Sequence, residues 1–307
     1  MGGAIGLLRW GMTEAVDPLR PPARTAWSIV HPTDFSRGSQ RAFAHALRIA
    51  LGQVADGAPA DAPEQLPPAE ARLTLVHVGK RSEAHWTDYP GIRDTLARWG
   101  LISPRATRER VGKLGIRASK IHLDGEDPVK GVLQRASKVH ADLLVAATHR
   151  RGAFGRWLKP SMAEAIARSS EACTLLIPPK ARGFVDRRSG RVALRQVLLP
   201  VVSDPRPDRA IEETISLLER LGCTDARLRF LSVGEDVDVD VPAGWATESI
   251  RRDGDVVGSI LKDARDADLV VMTSLGHDSA VDRVLGSTTE RVLHGLTVPL
   301  LVVPGVR

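Results

Sequence analysis

Short apolar runs alternate with amphipathic stretches along most of this chain. The run at residues 27–31 (WSIVH) predicts a strand. The apolar positions Phe43, Ala44, Ala46, Leu47, Ala50 and Leu51 then recur at helical spacing. Residues 73–78 (LTLVHV) predict a second strand, 89–114 a longer amphipathic region broken near Ser103-Pro104, and 119–123 a third strand. A helix is expected over 128–140, with Val129, Val132, Leu133 and Ala136 on one face, Asp127 as N-cap and Pro128 in the first turn. Residues 142–147 (DLLVAA) are almost unbroken in apolarity, as suits a parallel strand covered on both faces. After a loop at 148–159, a helix over 161–169 and a fifth strand over 174–177 complete the unit, which Pro178-Pro179 closes.

The same order then starts again: strand 197–201, helix 208–221, strand 227–233, strand 246–251, helix 256–264, strand 268–273, a loop over 274–285, a helix from Ser287 and a last strand at 300–303. A repeat of roughly 130–150 residues is too long for a solenoid and signals two homologous domains. The second copy is shorter, with the acidic stretch 235–240 where a helix-length segment would fit. The expected division is an N-terminal extension at 1–24, a first domain at 25–180, a linker with little to bury at 181–194, and a second domain at 195–307. Residues 52–70, rich in Pro, Ala and Asp, suit a flexible insertion in the first domain. Strands alternating with helices give an α/β fold: parallel sheets covered on both faces, with right-handed crossovers. Ligands of such sheets sit at the carboxyl ends of the strands, near the point where strand order reverses.

Composition narrows the class. Of 307 residues, 43% are hydrophobic and 26% charged, which fits a soluble globular protein rather than a disordered, fibrous or membrane chain. No apolar run approaches the roughly 18–20 residues of a bilayer span, and the apolar stretch at 4–8 is too short for a secretory leader. The two cysteines, Cys173 and Cys223, are far apart and in no metal-ligand spacing, so a cytoplasmic protein without disulfides or zinc is expected. Charge is uneven: residues 195–307 hold 13 Lys and Arg against 19 Asp and Glu, whereas the remainder has a net charge of +12. A basic half suits either a phosphate-bearing partner or docking against its acidic twin. No nucleic-acid motif accompanies the charge, so neither a nucleic acid nor a membrane is the expected partner.

Two loops carry candidate chemistry. In the second copy, Thr273-Ser274-Leu275-Gly276 is followed after nine residues by Gly286-Ser287-Thr288. Two glycines let backbone approach an anion, and a helix opening at Ser287 offers free N–H groups to phosphate. Ordinary capping by Ser287 explains the same residues equally well. The first copy has a similar segment: Ala147-Thr148-His149-Arg150, nine residues, then Pro160-Ser161. With these loops, the arrangement resembles the universal stress protein family, whose hallmark is a Gly-x2-Gly-x9-Gly-Ser/Thr phosphate loop after the fourth strand. The resemblance extends to residues 32–36 (PTDFS) and 75–78 (LVHV), and to both domain endings at 172–178 and 298–304. It spans the chain from Trp27 to Pro304.

The resemblance implies two tandem five-stranded Rossmann-like domains of the adenine nucleotide alpha hydrolase-like type, their last strands pairing across a pseudo-two-fold axis. It also implies ATP or another adenine nucleotide as ligand, with an Asp after the first strand contacting the nucleoside. The residues it assigns are Asp34, Val78, Thr148, His149, Arg150 and Ser161 in the first copy. In the second they are Thr273, Gly276, Gly286, Ser287 and Thr288.

Each copy departs from the pattern. The first keeps Asp34 but has Ala147, Arg150 and Pro160 at the glycine positions, and Pro160 has no N–H to donate. The second keeps Gly276, Gly286 and Ser287, but Val202 stands where the Asp belongs and Asp204 lies two residues late. Of the two, the second is favoured as the binder, because phosphate contacts usually carry more binding energy than one sugar contact.

Other chemistries find no support. The sequence has no Gly-x-Ser-x-Gly elbow, Gly-x-Gly-x-x-Gly turn, P-loop or His-x-x-x-His pair. His31, His77, His122 and His149, beside strand ends, read as structural residues, His277 as exposed, and Trp157 as a packing anchor. Tyr89, Trp86 and Trp99 belong to the larger helical region of the first copy, and no residue is assigned a catalytic or metal-binding role. The expected function is a stress-response regulatory protein binding an adenine nucleotide without efficient turnover. The alternatives are a nucleotide-independent adaptor with degenerate pockets that binds a protein partner, and an enzyme using Asp34 and Arg150. No residue argues for a further homodimer of the tandem unit.

Overall fold

The computed structural model describes residues 26–53, 70–148, 161–274 and 287–305. The expectations for 1–24, for most of 52–70 and for the two loops around His149 and Gly276 lie outside them. The first half contains β1 (Ala26–Pro32), α1 (Arg37–Leu51), β2 (Glu70–Val78), α2 (Ile92–Arg98), α3 (Arg108–Lys113), β3 (Ile116–Leu123), α4 (Pro128–Lys138), β4 (Leu143–Ala147), α5 (Met162–Ser169) and β5 (Cys173–Ile177). The second contains β6 (Gln196–Pro200), α6 (Asp208–Leu221), β7 (Arg227–Val233), β8 (Ala246–Arg252), α7 (Val256–Asp263), β9 (Leu269–Ser274), α8 (Ser287–Gly295) and β10 (Leu300–Pro304).

Local chemistry sets the ends of these elements. Ser36 caps α1 by accepting a hydrogen bond from the Ser39 N–H, and Asp127 caps α4 by accepting one from the Lys130 N–H, with Pro128 opening the helix. Gly222 ends α6 in the left-handed region at φ 71°. The amphipathic region at 89–114 proves to be two short helices, because Gly100 takes φ 75° directly after α2 and the chain turns before α3 begins.

The ten strands among the described residues join one sheet, in the order β3-β2-β1-β4-β5-β10-β9-β6-β7-β8. Within each half the pairing is parallel. At the centre β5 and β10 run antiparallel, placing Leu300 opposite Leu176, Leu301 opposite Leu175 and Val302 opposite Thr174. The two central strands are among the most deeply buried, as strands covered by helices on both faces must be.

Two stretches pack more than their composition suggests. The linker is not bare: Phe184, Val185 and Leu194 are all buried. It folds back on itself through a bridge between Val185 and Val192 and seats Phe184 edge-on against His45 of α1, with ring centroids 4.6 Å apart. In the acidic stretch, Val237, Val239 and Val241 alternate with the acids and lean on the core, so its period of two buries one face without forming a strand.

Candidate functional site

In the second half, β6 lies between β9 and β7. The chain leaves β6 through α6 toward β7 and returns through α7 to β9 on the other side, so the rim beyond Pro200 is the reversal point of strand order. A cleft of about 340 Å³ opens there, a size suited to a small molecule. Val201, Val202 and Asp204 wall it from the end of β6, Val233 from β7, and Val256 and Ile260 from α7. Met272 and Thr273 come from the end of β9, and Thr288 and Thr289 from the first turn of α8. The walls are thus largely aliphatic, with three hydroxyls, one carboxylate and the amino end of a helix whose unpaired N–H groups favour an anion.

Of the residues expected in this copy, Thr273 and Thr288 both line the cleft. Ser287 is the first residue of α8, and Gly276 and Gly286 lie outside the described residues. Asp204, two residues late in sequence, nonetheless reaches the wall beside Val202, which is 44% exposed there. Sequence reasoning missed Val233, Val256, Ile260, Met272 and Thr289. One signal was available: Val233 ends β7 as Val78 ends β2 in the first copy.

The first copy is arranged differently. Asp34 is exposed, and its Oδ1 accepts a hydrogen bond from the Ser36 N–H at 3.1 Å, closing a local turn. Phe35 adopts φ 62°, unusual for a bulky residue. Its ring lies 4.6 Å from that of His77 and edge-on to Trp86 at 5.0 Å. Val78 packs so closely on α4 that a Cβ on Gly131 would stand 3.0 Å from it. Thr148 is buried, its N–H donating to the Ile177 carbonyl at 3.0 Å. The Ser161 hydroxyl donates to Glu164 Oε1 at 2.8 Å and accepts from the Glu164 N–H at 3.2 Å, a capping box that opens α5. The buried Glu164 carboxylate therefore sits at the helix end where an incoming phosphate would bind. His149 and Arg150 lie outside the described residues.

Beneath this rim runs a buried polar network. His31 Nδ1 donates to the Val145 carbonyl at 2.7 Å, leaving Nε2 to accept from the Tyr89 hydroxyl at 2.6 Å. The Ser39 hydroxyl joins Thr33 Oγ1 at 2.8 Å and Tyr89 at 3.0 Å. Burial pulls the His31 imidazole down to about 4 and pushes the Tyr89 phenol up. Both are neutral at physiological pH and satisfied. Among the described residues, Glu164, Glu290 and His294 bring metal-ligating atoms within 4.8 Å of one another. The Glu164 oxygens are engaged in capping α5, and the Arg168 guanidinium, 3.8 Å from Glu290, supplies positive charge in a cation's stead.

A family model described as the universal stress protein family matches residues 28–178 and 197–304. Among solved structures, a universal stress protein from Archaeoglobus fulgidus DSM 4304 is 19% identical, covering 90% of this chain and 98% of its own, with a TM-score of 0.56. A Pseudomonas aeruginosa UCBPP-PA14 protein assigned to the same family is 14% identical, covering 91% and 93%, with a TM-score of 0.56. No curated protein matches.

Proposed function

Because this chain belongs to the universal stress protein family, we propose that it is a stress-response regulatory protein whose second half binds an adenine nucleotide without efficient turnover. The observation that supports this reading is the cleft of about 340 Å³ at the reversal point of strand order beyond β6. Val202, Val233, Val256 and Met272 offer an apolar slot for the base, and Asp204 a carboxylate for ribose hydroxyls. Thr273, Thr288 and the opening amides of α8 offer donors to phosphate. Asp204 is the single ionisable side chain among the described residues of the wall. Among the described residues of the wall, neither a paired base nor a second carboxylate to hold a metal stands beside it, which supports binding without efficient turnover. In the first half, Glu164 at the amino end of α5 opposes a phosphate, which favours the second half as the binder.

Titration with a labelled ATP analogue tests the reading. Val256 is 41% exposed on the cleft wall, so Val256→Trp fills the cleft without disturbing the core, and affinity is expected to fall by about tenfold or more. Asp34→Ala should leave affinity unchanged. Loss of binding in Asp34→Ala with retention in Val256→Trp would place the nucleotide in the other half. Absence of any nucleotide binding by the parent would favour the adaptor.

A further inference from the structure

The linker carries a second feature that no nucleotide site requires. Residues 184–193 form a tight reversal: the Asp186 N–H donates to the Arg191 carbonyl at 2.9 Å, the Gly190 N–H to the Asp186 carbonyl at 2.8 Å, and the Ala193 N–H to the Phe184 carbonyl at 2.8 Å. Asp186 Oδ1 accepts from the N–H groups of Arg188 and Ser189 and from the Ser189 hydroxyl, all within 2.9 Å. Below, Trp99 Nε1 donates to the Arg187 carbonyl at 3.1 Å. Gly190, at φ 74°, passes so close to that indole that a Cβ would lie 2.4 Å from it. The tip is thus fixed to α2 and its arginines project from a rigid base.

Beside it lies an open depression of about 760 Å³, walled by the exposed Arg98, Arg182, Arg187, Arg188 and Arg191. Asp186 is its one acid, and its carboxylate serves the turn. Arg182 pairs with Asp268 at 2.8 Å. Among the described residues, no ion pair engages Arg98, Arg187, Arg188 or Arg191. The excess of cation is felt beneath the surface: burial first, and the charge of Arg187 second, hold the Arg41 guanidinium below its ordinary value. Like charges held together on a stiff scaffold repel, and a bound anion relieves them. Guanidinium forks match phosphate oxygens in pairs, and the depression has room for more than one phosphate. The two aromatic residues nearby are turned inward, Phe184 at 2% and Trp99 at 8% exposure, so a base finds nothing to stack on.

We propose that this linker hairpin is a separate binding site for a small linear polyphosphate anion, recognised through its phosphates alone. None of its residues belongs to the cleft beyond β6, and its occupancy does not depend on a nucleotide there. Calorimetric titration of the full chain with inorganic tripolyphosphate, at constant ionic strength, tests it. Tripolyphosphate should bind at one site, roughly tenfold or more tighter than orthophosphate, because each added phosphate meets another guanidinium. The double variant Arg188→Gln, Arg191→Gln changes two exposed side chains and should keep the fold while weakening tripolyphosphate by about tenfold or more. In Val256→Trp the affinity should be unchanged. Equal affinity in the parent and the double variant would overturn the proposal, as would loss of tripolyphosphate binding in Val256→Trp. Tighter binding of a single-stranded oligonucleotide of equal charge would also overturn it.

Discussion

At the scale of single residues, the buried histidines carry the most physical information. His45 donates from Nδ1 to the Arg41 carbonyl at 2.8 Å and packs edge-on against Phe184. Burial holds both His45 and His31 down at about 4. The unfolded chain takes up these protons near pH 6.5, whereas the folded one resists until about 4. The stability owed to the neutral rings is therefore complete above 6.5 and drains away as pH falls toward 4, at roughly 1.4 kcal/mol per pH unit for each ring. Urea denaturation at intervals between pH 7 and 4.5 should show this decline, and His45→Gln should remove about half of the part due to the two rings. An unchanged slope in that variant would mean that other groups dominate. Gly183→Ala should be felt at the same contact, since its Cβ would stand 2.4 Å from the His45 ring; a loss of about 1–3 kcal/mol in the same assay is expected. A residue acting within one turn was legible from sequence: Asp127 caps α4 just before Pro128, as its type and place predict, whereas the capping of α5 by Ser161, which the resemblance read as a phosphate ligand, was not foreseen. His45 was not, because its partner lies about 140 positions away and no local pattern encodes that meeting.

At the scale of elements, α1 and α6 clasp across the two halves. The Arg220 guanidinium of α6 donates to the carbonyls of Ile49 and Ala50, which end α1, and Gln53 Nε2 returns a bond to the Glu219 carbonyl at 2.7 Å. Burial draws Arg220 down to about 10, short of neutralising it. Arg220→Ala should therefore unbind two helix-end carbonyls and destabilise the chain by about 2 kcal/mol, read as a lower denaturation midpoint. Arg220→Lys, which keeps the charge but loses the fork, should recover part of that loss. Most strands and helices followed from their periods; the helix over 208–221 and the strand over 227–233 matched to the residue. The linker was judged by its polar composition, yet its few apolar residues are the ones the core takes in, whereas the break expected near Ser103-Pro104 does fall between α2 and α3. The cleft wall was half legible. Thr273 and Thr288 stand at fixed offsets from glycines, but Val256 and Ile260 reach it from a helix that carries no signature of a site.

At the scale of the whole molecule, the sheet is continuous because β5 and β10 close each other's edge. Residues 26–178 produced alone would expose the fully buried face-to-face strand Cys173–Ile177 as a free, apolar edge. Size-exclusion chromatography with light scattering should find that fragment as a dimer or larger, whereas a stable monomer would show that the edge needs no cover. The duplicated layout was readable in the chain from its recurring order of elements, and the family resemblance added the central pairing; the crossing of α1 by α6 was in neither. Because the seam joins two stretches of one polypeptide, it is freed from a demand that weighs on symmetric pairs of identical subunits, in which every substitution appears twice and must suit its own mirror image. Thr174 meets Val302 rather than another threonine. Each side can drift alone, and that independence lets one twin keep an aspartate beside packed aromatic rings while the other keeps its glycines and an open cleft.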